Sequence, residues 1–94
     1  MLNFIIYEDE EKFRDKYFSV IDKFIGTSKL AYDVIEIKEY QEEIIEQIEQ
    51  LSGSKIFIMD VEVPGKSGLD LARQIRDSGD WDSQIIIVTS HDNL

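Results

Sequence analysis

Lys55-Ile56-Phe57-Ile58-Met59-Asp60-Val61-Glu62-Val63-Pro64-Gly65-Lys66-Ser67-Gly68-Leu69 passes from an apolar run, through an acid and a Pro-Gly loop, into the start of a helix. The apolar run predicts a strand over 55–60 buried on both faces, the pattern of a parallel sheet. Pro64-Gly65 is turn chemistry, since proline presets φ and glycine tolerates the left-handed region. Ser67-Gly68-Leu69-Asp70 has the form of a capping box, a hydroxyl and a carboxylate three residues apart that can serve free helix N–H groups. It predicts a helix over 67–78 with Leu69, Ala72, Ile75 and Leu71 on its apolar side, closed by Ser78-Gly79.

The same alternation extends in both directions. Leu2 to Tyr7 predicts a strand over 2–8, cut off by Glu8, Asp9, Glu10 and Glu11. Phe13, Tyr17, Val20, Ile21 and Phe24 then form a helical stripe over 11–26, stopped at Gly26. Glu10 and Glu11 sit in its first turn, where the helix dipole favours negative charge. Tyr32 to Ile37 is β-branched and predicts a strand over 32–37. Ile44, Ile45, Ile48 and Leu51 mark a helix over 40–51, and the Glu-rich stretch from Glu36 to Glu49 supplies its solvated face. Gln84 to Val88 predicts a last strand over 84–89, ending at Thr89. The order β-α-β-α-β-α-β makes residues 1–94 one α/β domain, a parallel sheet with helices on both faces. Phe13, Tyr17 and Phe24 are expected in the core, and Trp81 as a local packing anchor in the turn before the last strand.

Composition narrows the function. The chain has 94 residues, 20 acids, 10 bases and a formal net charge of −10. Phosphate backbones are held by Lys and Arg, so nucleic-acid binding by this chain is disfavoured, and so is docking on anionic membranes. There is no apolar run near the ~20 residues of a membrane span. No signal peptide is visible. Cys is absent, which removes thiolate metal sites and fits a reducing, cytoplasmic location. At 43% hydrophobic residues the chain can nonetheless bury a core.

Polar groups stand at the ends of three strands: Glu8 and Asp9 after the first, Asp60 after the third, Thr89 after the fourth. In a doubly wound sheet all strand C-termini open on one edge, and ligands bind where the strand order reverses. Three carboxylates gathered there repel one another. A hard divalent cation relieves that repulsion, and Mg²⁺ suits a site of few carboxylates, water and a phosphate oxygen. Asp60 is then the candidate nucleophile toward phosphorus, since carboxylates form acyl-phosphates. Thr89 offers a hydroxyl, and Ser90 a backbone N–H, to a phosphoryl oxygen.

Phe4-Ile5-Ile6-Tyr7-Glu8-Asp9-Glu10, Ile56 to Leu69 with Asp60, Pro64 and Gly68 in spacing, and Ile85-Ile86-Ile87-Val88-Thr89-Ser90 together resemble the receiver domain of bacterial two-component response regulators. The Glu8-Asp9 pair and Val88-Thr89-Ser90-His91 are similar to receivers of LytTR-type quorum-sensing regulators. The resemblance implies a flavodoxin-like (CheY-like) doubly wound sheet of which four strands are present. The fourth helix, fifth strand, fifth helix and the family's lysine would lie beyond this chain. It implies a phosphoacceptor switch rather than an enzyme, with at most weak autophosphatase activity in the parent domain. Asp60 would accept a phosphoryl group from a sensor histidine kinase. Glu8, Asp9 and Asp60, with the backbone carbonyl of Glu62, would hold Mg²⁺. The Glu62 side chain would tune hydrolysis, and Thr89 would contact the phosphoryl group and move with the switch. Output would be control of transcription through an effector domain outside the chain. The apolar fourth strand, without a neighbour on its outer side, or the face bared by the missing unit, is expected to mediate self-association.

Rival readings remain. Asp60-Val61-Glu62 also resembles the start of a haloacid-dehalogenase-type phosphatase, which needs a second Asp where Glu62 stands. Glu8 with Asp60 and Glu62 suggests a Toprim-like Mg²⁺ site, opposed by the acidic charge. A degenerate receiver would act as an interaction module alone. His91 is read as a surface loop residue, and Arg73 and Arg76 as balancing nearby acids. Lys66 lies on the correct side of the sheet to approach Asp60.

Overall fold

The apolar runs become four parallel strands in a computed structural model that describes residues 1–89. In chain order the elements are β1 (Leu2–Tyr7), α1 (Glu11–Ile25), β2 (Tyr32–Ile37), α2 (Glu42–Glu49), β3 (Ser54–Asp60), α3 (Gly68–Asp77) and β4 (Gln84–Val88). The sheet order is β2-β1-β3-β4. The chain therefore steps to one side of β1 first and to the other side next, which is the reversal of a doubly wound, flavodoxin-like α/β fold.

Register follows the apolar content. Ile5 lies between Ile35 and Phe57, and Tyr7 between Ile37 and Met59. Alternate residues along each strand face opposite sides. One side gathers Ile5, Tyr7, Ile37, Phe57 and Met59 beneath Ile45 and Ile48 of α2 and Leu71 and Ile75 of α3. The other gathers Phe4 and Ile6 against Ile21 of α1, flanked by Val34, Ile56 and Ile58. A fully buried side chain of this size contributes about 1.5–3 kcal/mol, so the central strand β1, buried from Asn3 to Tyr7, anchors both layers.

Several helix faces depart from expectation. On α1 the line that meets the sheet is Arg14, Tyr17, Ile21 and Ile25, while Val20 and Phe24 are exposed, Phe24 by 67%. The helix is turned toward Arg14 because its guanidinium reaches back to the end of β1. On α3 the centre of the buried face is Leu71 with Ile75, and Leu69 is exposed. Trp81 is 74% exposed and not a packing anchor; its ring lies beside the Arg76 guanidinium, 5.6 Å from the centroid. Arg76 in turn donates to the carbonyls of Asp80 and Ser83 rather than balancing a carboxylate.

Element ends are shorter than expected for local reasons. Tyr40 stays outside α2 because its N–H donates to the Pro64 carbonyl. Ser67 is the N-cap of α3, its hydroxyl accepting from the Asp70 N–H at 3.1 Å. The capping box is half formed, since the Asp70 carboxylate pairs with Arg73 instead. The first strand stops at Tyr7 and the last at Val88, leaving Glu8 and Thr89 just beyond.

The turn into β4 is built on Asp80. Burial acts to raise its carboxyl, but hydrogen bonds from the Ser83 hydroxyl and the Ser83 and Asp82 amides, with Lys55 nearby, hold it below the usual range. A depressed carboxylate pKa stabilises the fold above the unfolded-state value, and that contribution is lost as pH falls through the folded-state value. Asp80→Ala is expected to cost about 1 kcal/mol at neutral pH. The difference from the parent protein should shrink in acid, as thermal melts at pH 7 and pH 3 would show. Among the described residues no helix is long and apolar enough to cross a membrane.

Candidate metal site

β1 and β3 are neighbours, so their C-terminal ends deliver acids to one spot at the point where strand order reverses. The backbone runs on past the sheet in both places. Glu8 N–H donates to the Ile37 carbonyl at 3.0 Å, and Val61 N–H to the Val88 carbonyl at 3.1 Å. Glu8 is wholly buried, Asp60 is 4% exposed and Asp9 is open to solvent. One carboxylate oxygen from each lies within 4.8 Å of the other two. That opening is about twice the ~2.1–2.6 Å bond between a hard cation and oxygen.

The donor set fits such an ion. All three groups are oxygen donors, two are withdrawn from water, and the third leaves an open side. Charges removed from water are costly unless paired or bound to metal. One Glu8 oxygen, Oε2, accepts the Glu10 N–H at 3.1 Å, which fixes the direction of the carboxylate.

The supporting shell comes from three elements. Arg14 of α1, 6% exposed, donates to the carbonyls of Glu8 and Asp9. Tyr17, on the same helix, has its hydroxyl pushed up to about 12, first by burial and then by the negative charges of Glu8 and Asp60. Its ring packs against the core on the α1 side of the sheet, as expected, while its hydroxyl is subject to the charge of the two acids. Tyr7 is pushed up to about 12 by burial and by Tyr40, and its hydroxyl donates to the Lys66 carbonyl at 2.6 Å, tying the loop after Asp60 to β1. Gly68 closes the site from behind: its N–H donates to the Val61 carbonyl, and a Cβ there would lie 2.2 Å from the Asp60 carbonyl oxygen.

The other expected site residues are placed as follows. Thr89 comes one residue after Val88, which pairs with Asp60, so it stands at the same sheet edge and is exposed. Glu62 is exposed in the loop after β3, and its carboxylate is not in the acid cluster. Lys66 does not turn to the acids; its Nζ donates to Gln74 Oε1 and lies 4.5 Å from the Tyr40 ring centroid. Ser90 and His91 lie outside the described residues.

No motif in the linear sequence marks Arg14 or Tyr17 as belonging to the site. The signal available was position: both fall on α1 within three turns of the Glu8-Asp9 pair. No family model, curated protein or solved structure matches the chain.

Proposed function

We propose that the chain is a phospho-accepting receiver domain of a two-component response regulator, with Asp60 as the acceptor and Glu8, Asp9 and Asp60 as the Mg²⁺ ligands. The observation that carries this reading is the meeting of three carboxylates, two of them buried, at the switch point of the sheet. In the proposed reaction an Asp60 carboxylate oxygen bonds to phosphorus while the P–N bond of a phosphohistidine breaks. The imidazole leaves with the electron pair and takes up a proton. Bound Mg²⁺ would supply charge neutralisation for the carboxylates and the phosphoryl oxygens. The Glu62 carbonyl would complete the donor set, and Thr89 would donate its hydroxyl to the transferred group. Output would pass to an effector domain that controls transcription, in the cytoplasm.

Incubation with Mg²⁺ and a small phosphodonor such as acetyl phosphate, followed by mass spectrometry, tests the reading. One acyl-phosphate per chain is expected, labile at alkaline pH. Turnover of a phosphoester without a stable adduct would favour the phosphatase reading. Glu62, exposed and outside the cluster, does not favour it.

The partner proposal includes a second copy. Among the described residues β2 and β4 are the edge strands. β2 carries Asp33 and Glu36, charges that discourage pairing, whereas Gln84-Ile85-Ile86-Ile87-Val88 carries none. Ile86 is 52% exposed. An antiparallel β4–β4 pairing centred on Ile86 would bury it against its own symmetry mate. The mass by light scattering is expected to rise above the monomer value as concentration increases, and Ile86→Lys to hold it at monomer. A monomeric parent protein at about 1 mM, a concentration that populates even a complex of about 4 kcal/mol, would refute the contact.

A further inference from the structure

Arginine is rarely buried unless its charge and its donors are used. Arg14 is 6% exposed, on the first turns of α1, and its use is specific. One terminal nitrogen donates to two successive carbonyls, Glu8 at 3.0 Å and Asp9 at 2.8 Å. Its Nε lies 3.7 Å from a Glu36 carboxylate oxygen on β2, which is 41% exposed. The guanidinium thus joins three pieces of chain: the helix that bears it, the corner after β1, and the neighbouring strand.

The corner it holds carries both acids of the pair. A carbonyl held in place fixes its peptide plane, and the planes at residues 8 and 9 set the directions in which the two side chains leave the backbone. Glu8 is aimed inward and buried, while Asp9 is exposed, yet both reach the same cluster. Two further bonds lock the corner, from the Glu8 N–H to Ile37 and from the Glu10 N–H to the Glu8 carboxylate. Removing the guanidinium would take the Arg14 donor from both the Glu8 and the Asp9 carbonyl at once.

We infer that Arg14 is the positioning residue of the acid pair, holding the Glu8-Asp9 corner in the geometry that lets both carboxylates share one cation. Its effect on metal affinity rests on the metal reading proposed above; its effect on the corner does not. Arg14 acts through the backbone and is not itself a ligand. Groups that orient ligands from outside the first layer typically cost 10–100-fold in metal affinity when removed.

The test measures two quantities on the full chain. Titration calorimetry with Mg²⁺ alone gives affinity, and hydrogen exchange on the metal-free protein gives protection of the Glu10 amide, whose N–H is held by the Glu8 carboxylate. Arg14→Gln is expected to weaken Mg²⁺ binding about 10-fold or more and to speed Glu10 exchange, with the β3 amides changed far less. Arg14→Lys keeps the charge but lacks the planar fork, and should fall between. A role in general stability alone would lower the melting temperature and raise exchange everywhere, leaving the affinity of the folded protein at the parent value. Parent-like Glu10 protection in Arg14→Gln, or in Arg14→Lys if the first variant does not fold, overturns the inference. If the parent protein binds no Mg²⁺, the metal reading fails, and the Glu10 amide alone decides the role of Arg14.

Discussion

Asp60→Asn is expected to abolish acyl-phosphate formation and to weaken Mg²⁺ binding by about 100-fold or more, at the upper end of what loss of even an outer-layer group costs. The amide keeps the shape of the side chain and removes both its nucleophilic charge and one of three clustered anionic donors. The same substitution should raise the stability of the metal-free protein. Asp60 is 4% exposed and shares its surroundings with a wholly buried Glu8, and like charges this close oppose folding. Mg²⁺ should therefore raise the melting temperature of the parent protein, as any ligand specific for the folded state does, and leave that of Asp60→Asn nearly unchanged. Mass spectrometry after acetyl phosphate, with melts at 0 and 10 mM Mg²⁺, checks all three outcomes. A label that survives Asp60→Asn would place the acceptor elsewhere. A metal response that survives would remove Asp60 from the ligand set.

Gly68→Ala should be strongly destabilising for so small a change. The added Cβ would lie 2.2 Å from the Asp60 carbonyl oxygen and 2.9 Å from its carbon. Both are backbone atoms at the end of β3, so nothing flexible can give way. Overpacking of this kind costs about 3 kcal/mol, which for a domain of this size lowers the melting temperature by about 12–24 °C. The strain falls on the residue that carries the proposed nucleophile, so the variant that remains folded should also bind Mg²⁺ less tightly. Gly79→Ala is the control. It has a positive φ of 99° but nothing within 4 Å of the added carbon, so only the backbone penalty of about 1–2 kcal/mol applies, without effect on metal binding. Thermal melts of the two variants side by side separate close approach from conformational strain.

Gly68 also shows how far the linear pattern could be followed. Its neighbours announce a loop and a capped helix, and both form. That a glycine is required there follows from the distance between α3 and the end of β3, which no local pattern encodes. Arg14 is the same case with opposite polarity. A basic residue among Glu11, Lys12, Asp15 and Lys16 looks like surface, and hydropathy places Phe24 and Val20 inside. The helix instead rotates to bury Arg14 against the Glu8 and Asp9 carbonyls, and Val20 and Phe24 stay outside. Two charge-assisted hydrogen bonds and an ion pair compete with the burial of side chains at the helix margin, and only the assembled sheet presents those carbonyls together. Trp81 stays outside for a related reason: Arg76, which it flanks, is committed to the carbonyls of the β4 turn.

The sequence by itself determined the order of strands and helices, the parallel sheet, and the place of Glu8, Asp9 and Asp60 at its C-terminal edge. Apolar periodicity sets element type, and parallel strands joined by helices end on the same side. Tertiary structure alone decided that these acids come within 4.8 Å, that two are buried and one is open, and that Arg14 and Tyr17 surround them while Lys66 turns to Tyr40 and Gln74. Those outcomes depend on strand neighbours, helix rotation and the approach of α3 to β3. Each is set by contacts between residues far apart in the chain, where local spacing carries no information.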